Sequence, residues 1–166
     1  ALPHVKPGVE KLPIVLGIAP RAADLLAWVK GKQSPEERVD ETLRLVFGDQ
    51  RRINPLRRAE AIAEAQFRQT MPHVWHAFVE SSRGLGLGFL PWRHDYLWRQ
   101  LDQVQAPVLA VFGTADRLVD PGIAPRVART IGGGTVVVLP GVGHCPQMEV
   151  PITVDRLLDA HILGEL

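Results

Sequence analysis

Two short apolar runs, separated by a helical pattern, constrain the fold of this chain more than any other sequence feature. Residues 107–113 read Pro-Val-Leu-Ala-Val-Phe-Gly, and residues 135–139 read Thr-Val-Val-Val-Leu. Continuous runs of this kind predict strands that are buried on both faces, as in a parallel sheet. Helices are predicted over residues 121–131 and 151–162. The order strand, helix, strand, helix implies parallel strands joined by a right-handed crossover, and therefore an α/β fold.

Roughly the first hundred residues have helix signals and no convincing strand pattern. Ser34, a proline and then Glu37 form a capping box, which predicts that a helix begins there. Asn54, also followed by a proline, predicts a second helix start. Arginine pairs at residues 51–52 and 57–58 predict a solvated face. This part of the chain is therefore predicted to be helical and charged on its surface.

A change of pattern near residue 106 indicates where the helical region ends. Gly-Leu-Gly-Leu-Gly at residues 84–88 predicts a flexible link. This stretch follows a helix rather than a strand, which disfavours a phosphate-binding loop. We therefore divide the chain into a helical region, residues 1–105, and a β-α-β-α part, residues 106–166.

Charge and residue content exclude several classes of function. The 19 basic and 18 acidic residues give a net charge of +1, which does not favour nucleic acid or an anionic membrane as a partner. The lone Cys145 excludes an internal disulfide and a metal site built from cysteines alone. No apolar run approaches the ~20 residues that span a bilayer. We expect a cytoplasmic protein without a metal or organic cofactor.

The candidate chemistry lies in the two loops that follow the predicted strands. The Asp loop, residues 113–121, contains Asp116, and the His loop, residues 140–151, contains His144. Because the carboxyl ends of parallel strands meet at one sheet edge, we expect these two side chains to be neighbours. A carboxylate orients an imidazole and stabilises its protonated form, as a catalytic nucleophile requires of its base.

Other polar residues of these loops have simpler interpretations. Asp120 is predicted to cap the following helix rather than to act as the acid. Cys145 is expected to pack in the loop, since a residue adjacent to the imidazole is poorly placed as its nucleophile. Glu149 is predicted to brace the loop or the last helix. His73 and His76 have the spacing to share a metal on a helix, but surface or lid packing is the favoured interpretation.

The pattern Pro-Val-Leu-x-x-x-Gly-x-x-Asp-x-x-Val, a helix, a strand, then Pro-Gly-x-Gly-His-x-x-x-x-Glu-x-Pro resembles the α/β-hydrolase family over residues 101–163. The resemblance implies that Asp116 and His144 are the last two members of a catalytic triad. It also implies that residues 1–105 correspond to the helical lid, which precedes the seventh strand in this family. The predicted fold is thus the carboxyl-terminal part of an α/β-hydrolase.

The nucleophile of such a triad is missing from these residues. The sequence contains no Gly-x-Ser-x-Gly elbow and no His-Gly loop for an oxyanion hole, both of which precede the lid in the family. The chain also begins at Ala1 without a methionine or a signal-peptide pattern. We therefore expect a fragment of a longer hydrolase, with little esterase turnover of its own.

The resemblance leaves several substrates open. An apolar, tryptophan-containing lid favours a hydrophobic ester or a similar small lipophilic substrate. Candidate lining residues, which are equally suited to form the core of the lid, are Trp75, Phe78, Phe89 and Trp92. Related chemistries of the same family are epoxide hydrolysis, dehalogenation, carbon–carbon bond hydrolysis and cofactor-free peroxidation. A non-catalytic binding or dimerisation module is the alternative from a different class.

The first predicted strand suggests a protein partner. In the resemblance its neighbour is the sixth strand, which this sequence lacks. An unpaired apolar edge at Val108–Phe112 invites pairing with another chain. We therefore expect dimerisation, element swapping or association through this edge.

Overall fold

A computed structural model of the 166-residue chain describes residues 33–88, 98–132 and 134–166. The fold is rich in helix and contains a parallel sheet, as expected of the α/β class. The strands are β1 (Leu109–Gly113) and β2 (Thr135–Leu139). The helices are α1 (Pro35–Val46), α2 (Pro55–Gln69), α3 (Val74–Gly88), α4 (Ala124–Thr130), α5 (Pro146–Glu149) and α6 (Pro151–Ile162). Short 3-10 turns lie at Gln50–Arg52 and Pro121–Ile123, and residues 98–102 are helical.

The predicted capping box opens α1. The backbone N–H of Glu37 donates to Ser34 Oγ at 3.1 Å, and the N–H of Ser34 donates to Glu37 Oε2 at 2.8 Å. Apolar side chains at helical spacing then fall on one face, and three of them are buried: Val39, Leu43 and Phe47. The prediction of this helix is confirmed.

The second predicted helix start is also confirmed. Asn54 Oδ1 accepts the backbone N–H of Leu56 at 2.9 Å at the beginning of α2. Arg58, expected to be solvated, instead donates to both carboxylate oxygens of Asp40 on α1, at 2.6 and 2.7 Å. The hydrogen bond with the Asp40 carboxylate raises the pKa of the Arg58 guanidinium above its ordinary value. A bidentate pair of this kind fixes both distance and orientation between two helices.

The flexible link predicted at residues 84–88 is wrong, because α3 continues through it to Gly88. A glycine inside a helix costs only about 1 kcal/mol relative to alanine. Extending a helix that has already formed is also much easier than nucleating one. Ten residues of α3 precede Gly84, so propagation offsets the glycine penalties.

The two predicted strands pair in parallel. Leu109 lies opposite Thr135, and the register continues to Gly113 opposite Leu139. α4 packs against β2. The predicted helix over residues 121–131 is divided into a 3-10 turn and α4. Asp120 caps the turn as predicted, because its Oδ1 accepts the N–H of Gly122 at 3.1 Å.

The prediction that both strands are buried on both faces is wrong for the described residues. Of the strand positions only Gly113 is buried, and Val138 is 43% exposed. Burial of a parallel strand on both faces needs elements packed above and below it. In the described part of the chain α4 contacts β2 and the short α5 contacts β1, which leaves the sheet incompletely covered. Association through the β1 edge stays a prediction.

The chain divides into two compact units. Unit one comprises Ala1–Lys6, Leu43–Ile53 and Leu97–Leu166, and unit two comprises Pro7–Thr42 and Asn54–Tyr96. Unit one contains both strands and the helices α4 to α6. Among the described residues of this unit, the buried apolar side chains are Leu43, Phe47, Ala124, Ile131, Val142 and Val154. The assignment of residues 1–105 to a lid and of residues 106–166 to a hydrolase core stays a prediction.

Candidate active site

The Asp loop turns immediately after β1. The N–H of Asp116 donates to the carbonyl of Gly113 at 3.2 Å, which closes a tight turn. The N–H of Thr114 donates to the carbonyl of Leu139 at 2.9 Å, and that of Ala115 to Val142 at 2.9 Å. Bonds to β2 and the residues after it therefore hold Asp116 at the carboxyl end of the sheet.

The His loop is held from the other side by a segment that is distant in sequence. The backbone N–H of His144 donates to the carbonyl of Val46 at 2.8 Å, and the N–H of Cys145 donates to the same oxygen at 3.3 Å. The Asp loop uses this segment as well, because Arg117 donates to the carbonyl of Arg44 at 2.9 Å. We call residues 44–49, which lie in unit one, the scaffold segment.

Asp116 and His144 are brought into direct contact. His144 Nδ1 lies 2.9 Å from Asp116 Oδ2. The Asp116 side chain is 6% exposed and that of His144 is 36% exposed. Asp116 Oδ1 accepts the N–H groups of Leu118 at 2.7 Å and Val119 at 2.9 Å. Both carboxylate oxygens are thus engaged, and the carboxylate holds one orientation toward the imidazole.

This geometry determines what the imidazole can do. A carboxylate only accepts hydrogen bonds, so a hydrogen bond between these two atoms requires the proton to be on His144 Nδ1. Nε2 of the neutral ring is then the nitrogen that can accept a proton from another group. When it does, the buried carboxylate stabilises the resulting imidazolium. A pair with this geometry is able to act as a general base with its orienting acid.

Glu149 is the second buried acidic side chain of the two loops. It is 4% exposed and lies at the end of α5. Its Oε2 accepts the N–H groups of Gly143 and Gly48, each at 2.8 Å, and its Oε1 accepts the N–H of Asp49 at 2.9 Å. Arg52 Nη1 donates to Oε1 at 3.2 Å. The predicted brace is confirmed for the His loop, and Arg52 belongs to it rather than to a purely solvated face.

The scaffold segment was not anticipated from sequence as part of this site. It is separated from Glu149 by 100 residues along the chain at Asp49, and it lies within the stretch interpreted as lid. The only local signal was an acidic residue between apolar ones in Met-Glu-Val. Such a residue is buried only where donors surround it. The identity of those donors depends on the tertiary fold.

Gly113 allows the Asp loop to approach the His loop closely, and Gly143 allows the His loop to approach the scaffold segment. A Cβ at Gly113 would lie closer than 3.0 Å to the backbone carbonyls of Val142 and Gly143. A Cβ at Gly143 would lie equally close to the backbone of Val46 and Gly48. Backbone cannot move aside as a flexible side chain does, so only glycine fits at either position.

Gly113→Ala is expected to lower the free energy of unfolding by about 3 kcal/mol, through overpacking between the two loops. Gly132→Ala is the matched control, because a Cβ there meets nothing within 4 Å. That control is expected to change stability by less than about 1 kcal/mol. Urea unfolding of the three proteins measures both effects. Equal stability of the two variants would contradict the close approach.

Cys145 does not have the environment of a nucleophile. Burial, followed by the nearby carboxylates of Asp116 and Glu149, raises the pKa of its thiol above the ordinary value. A raised pKa reduces the thiolate fraction, and the thiolate is the reactive form of cysteine. The packing role predicted for Cys145 agrees with this environment.

Asp49 has a strongly perturbed carboxyl group next to the brace. Its Oδ1 accepts from Arg51 Nε at 3.0 Å and from the Arg51 N–H at 3.0 Å, and its Oδ2 accepts from Arg51 Nη2 at 2.9 Å. These bonds lower the pKa of Asp49 to about 2. Because folding lowers the pKa of this carboxyl group, the ionised Asp49 stabilises the folded chain at pH values above 3.8. This stabilisation is lost as the pH falls through about 2.

Arg51→Ala is therefore expected to raise the pKa of Asp49 toward 3.8. Titration of the Asp49 carboxyl carbon by NMR measures this value. Arg57→Ala is the control, because Arg57 pairs with Glu60 rather than with Asp49. The ion pair is absent in solution if Asp49 titrates near 3.8 in the unsubstituted chain.

The contact between Asp116 and His144, which we call the dyad, does not test the predicted substrate-lining residues. Phe78 lies on α3 in unit two and is 58% exposed. Trp75 also lies on α3, while Phe89 and Trp92 lie outside the described residues. His73 and His76 are both exposed. Within residues 33–88, 98–132 and 134–166, no cluster of three or more His, Cys, Asp or Glu side chains is arranged to hold a metal.

Comparison with known proteins gives a structural likeness alone. No protein-family model and no curated protein matches the sequence. Among solved structures, the chain is similar to a membrane phospholipase A described as a bacterial virulence factor, with a TM-score of 0.52 and 19% identity. The match covers 82% of this chain and 42% of that one, so this chain spans less than half of its neighbour. In the described part of this chain, no helix combines the length and apolar character needed to cross a membrane.

Proposed function

We propose that this chain supplies the acid and the base of a hydrolase that works through a nucleophile–His–acid triad. The contact between His144 Nδ1 and Asp116 Oδ2, with the carboxylate buried and held by two backbone N–H groups, carries the proposal. An isolated loop histidine does not need a buried, pre-oriented carboxylate. A histidine that must hold one tautomer and take up a proton does.

The catalytic cycle follows from these roles. The nucleophile attacks the substrate while His144 Nε2 takes its proton, and Asp116 stabilises the imidazolium. His144 then returns the proton to the leaving group. In the second half, His144 removes a proton from water, and the resulting hydroxide attacks the covalent intermediate. The bond to the nucleophile breaks, and His144 returns the proton to the departing nucleophile, which restores both groups.

The nucleophile is proposed to lie outside these residues. The chain contains no Gly-x-Ser-x-Gly elbow, and it spans 42% of its structural neighbour. Cys145 is unsuited by its raised pKa. We call the polypeptide that contains both this chain and the proposed nucleophile the complete enzyme. The present chain alone is expected to have little esterase activity.

The substrate is proposed to be a hydrophobic ester or a similar small lipophilic molecule. The phospholipase neighbour supports a hydrolase, and the aromatic residues Trp75, Phe78, Phe89 and Trp92 are the proposed apolar lining. Epoxide, haloalkane and carbon–carbon bond hydrolysis use the same acid and base with a different nucleophile or lid. The nucleophile and the lid therefore decide between these reactions.

A fluorophosphonate probe tests the proposal. The complete enzyme, expressed from the reading frame that contains this chain, is treated with the probe, and the adduct is located by peptide mass. An adduct on a serine outside these residues, lost in His144→Ala, is the expected result. A folded complete enzyme without an adduct would overturn the serine-esterase proposal. Trapping of a substrate adduct on an aspartate would then indicate the related chemistries.

A further inference from the structure

The Glu149 carboxylate joins two backbone segments that are far apart in sequence. Oε2 takes one N–H from each segment, from Gly143 in the His loop and from Gly48 in the scaffold segment. Oε1 takes the next scaffold N–H, from Asp49. The Glu149 carboxylate thus accepts hydrogen bonds from three backbone N–H groups, and the Glu149 side chain is 0% exposed.

The bonds of Glu149 lie next to the backbone that positions the base. Gly143 directly precedes His144, whose own N–H donates to the Val46 carbonyl at 2.8 Å. Two consecutive residues of the His loop are therefore tied to the scaffold segment, Gly143 through the Glu149 carboxylate and His144 directly. These two bonds anchor the successive peptide groups that carry the N–H of Gly143 and the N–H of His144, so they restrict rotation of the backbone that carries the imidazole.

Glu149 is bound mainly by backbone N–H groups rather than by a side chain of opposite charge. Burial of a carboxylate is costly and is compensated only by several well-placed donors. Here the ion pair with Arg52 is one of four contacts, and the Arg52 side chain is 38% exposed. The three backbone donors are the main partners, and all of them belong to segments that hold His144.

We propose that Glu149 is a positioning residue for the base: it holds the His loop against the scaffold segment so that His144 Nδ1 stays on Asp116. This inference rests on the proposed function, in which His144 is the base. It predicts that loss of the Glu149 carboxylate frees the imidazole from Asp116 while both dyad residues remain present.

The ring-nitrogen shifts of His144 test this proposal on the 166-residue chain. The chain is labelled with ¹⁵N-histidine, and the His144 signals are assigned by their loss in His144→Gln. At a pH where the ring is neutral, the unsubstituted chain is expected to hold the Nδ1–H tautomer. Glu149→Ala is expected to lower the Nδ1–H fraction at least about twofold, because the tautomer is set by the partner of the ring.

Two further variants separate positioning from stability. Ile131→Val removes a buried methyl group elsewhere in unit one and is expected to keep the tautomer unchanged. Glu149→Gln keeps one acceptor oxygen but places an amide N–H₂ among backbone donors, so an intermediate fraction is expected. If Glu149→Ala does not fold, Glu149→Gln decides the question.

Three results would overturn the positioning role. The first is an unchanged Nδ1–H fraction in folded Glu149→Ala. The second, for the case in which the alanine variant does not fold, is an unchanged fraction in folded Glu149→Gln. The third is a decrease of the Nδ1–H fraction in Ile131→Val that equals the decrease in the Glu149 variant. This readout requires neither a nucleophile nor turnover. Failure of the fluorophosphonate reaction and failure of the positioning role are therefore separate results.

Discussion

His144→Ala is expected to lower kcat/KM of the complete enzyme toward p-nitrophenyl esters by about 10⁴-fold. The reason is that the nucleophile loses the group that removes its proton, and water loses the group that activates it. The His144 side chain is 36% exposed, so its removal leaves no large cavity and the variant is expected to fold. Added imidazole is expected to restore part of the activity, because it supplies the missing base without altering Asp116.

His161→Ala is the matched control for this variant. His161 lies in the last turn of α6, ten residues along the chain from the end of the His loop, and its removal is expected to change kcat/KM by less than about twofold. Thermal unfolding of both variants shows whether the fold is retained. Activity of folded His144→Ala within tenfold of the unsubstituted enzyme would rule out His144 as the base.

Asp116→Asn is expected to reduce kcat by about 10³- to 10⁴-fold with little change in KM. The N–H groups of Leu118 and Val119 both point at Oδ1, so they select the amide rotamer that places oxygen there. The amide N–H₂ then occupies the Oδ2 position and donates to His144 Nδ1. The ring proton is displaced to Nε2, and the nitrogen that faces the nucleophile no longer accepts a proton.

The same substitution four residues later provides the control. Asp120→Asn keeps the helix cap, because an asparagine side-chain oxygen also accepts the N–H of Gly122. It is expected to leave kcat within about threefold of the unsubstituted enzyme. The ¹⁵N shifts of His144 are expected to show the Nε2–H tautomer in Asp116→Asn and the Nδ1–H tautomer in Asp120→Asn. Retention of more than a tenth of kcat in that variant would contradict an orienting role for Asp116.

The features predicted correctly from sequence depend on neighbouring residues. The capping box of Ser34 and Glu37 and the cap at Asn54 need only a few consecutive residues, and each is observed. The strand over residues 135–139 follows from an uninterrupted β-branched run and has the predicted bounds. The contact of Asp116 with His144 follows from topology, because parallel pairing aligns the ends of β1 and β2.

Two features that no short motif specifies were predicted wrongly. The continuation of α3 through Gly84 depends on the balance between helix propagation and glycine entropy, which composition alone does not decide. The exposure of Val138 depends on which elements cover the sheet. Both are decided by energies of a few kcal/mol summed over many contacts rather than by a local motif.

The sequence alone determined which side chains form the dyad and at which edge of the sheet they meet, because strand patterns and their order dictate that placement. Only the tertiary structure decided how the dyad is held. Two of the three backbone donors to Glu149, and the acceptor for the His144 N–H, come from residues 46–49, about 100 positions away from Glu149. Backbone N–H and C=O groups are nearly the same at every residue, so the sequence does not indicate which of them pair with one another.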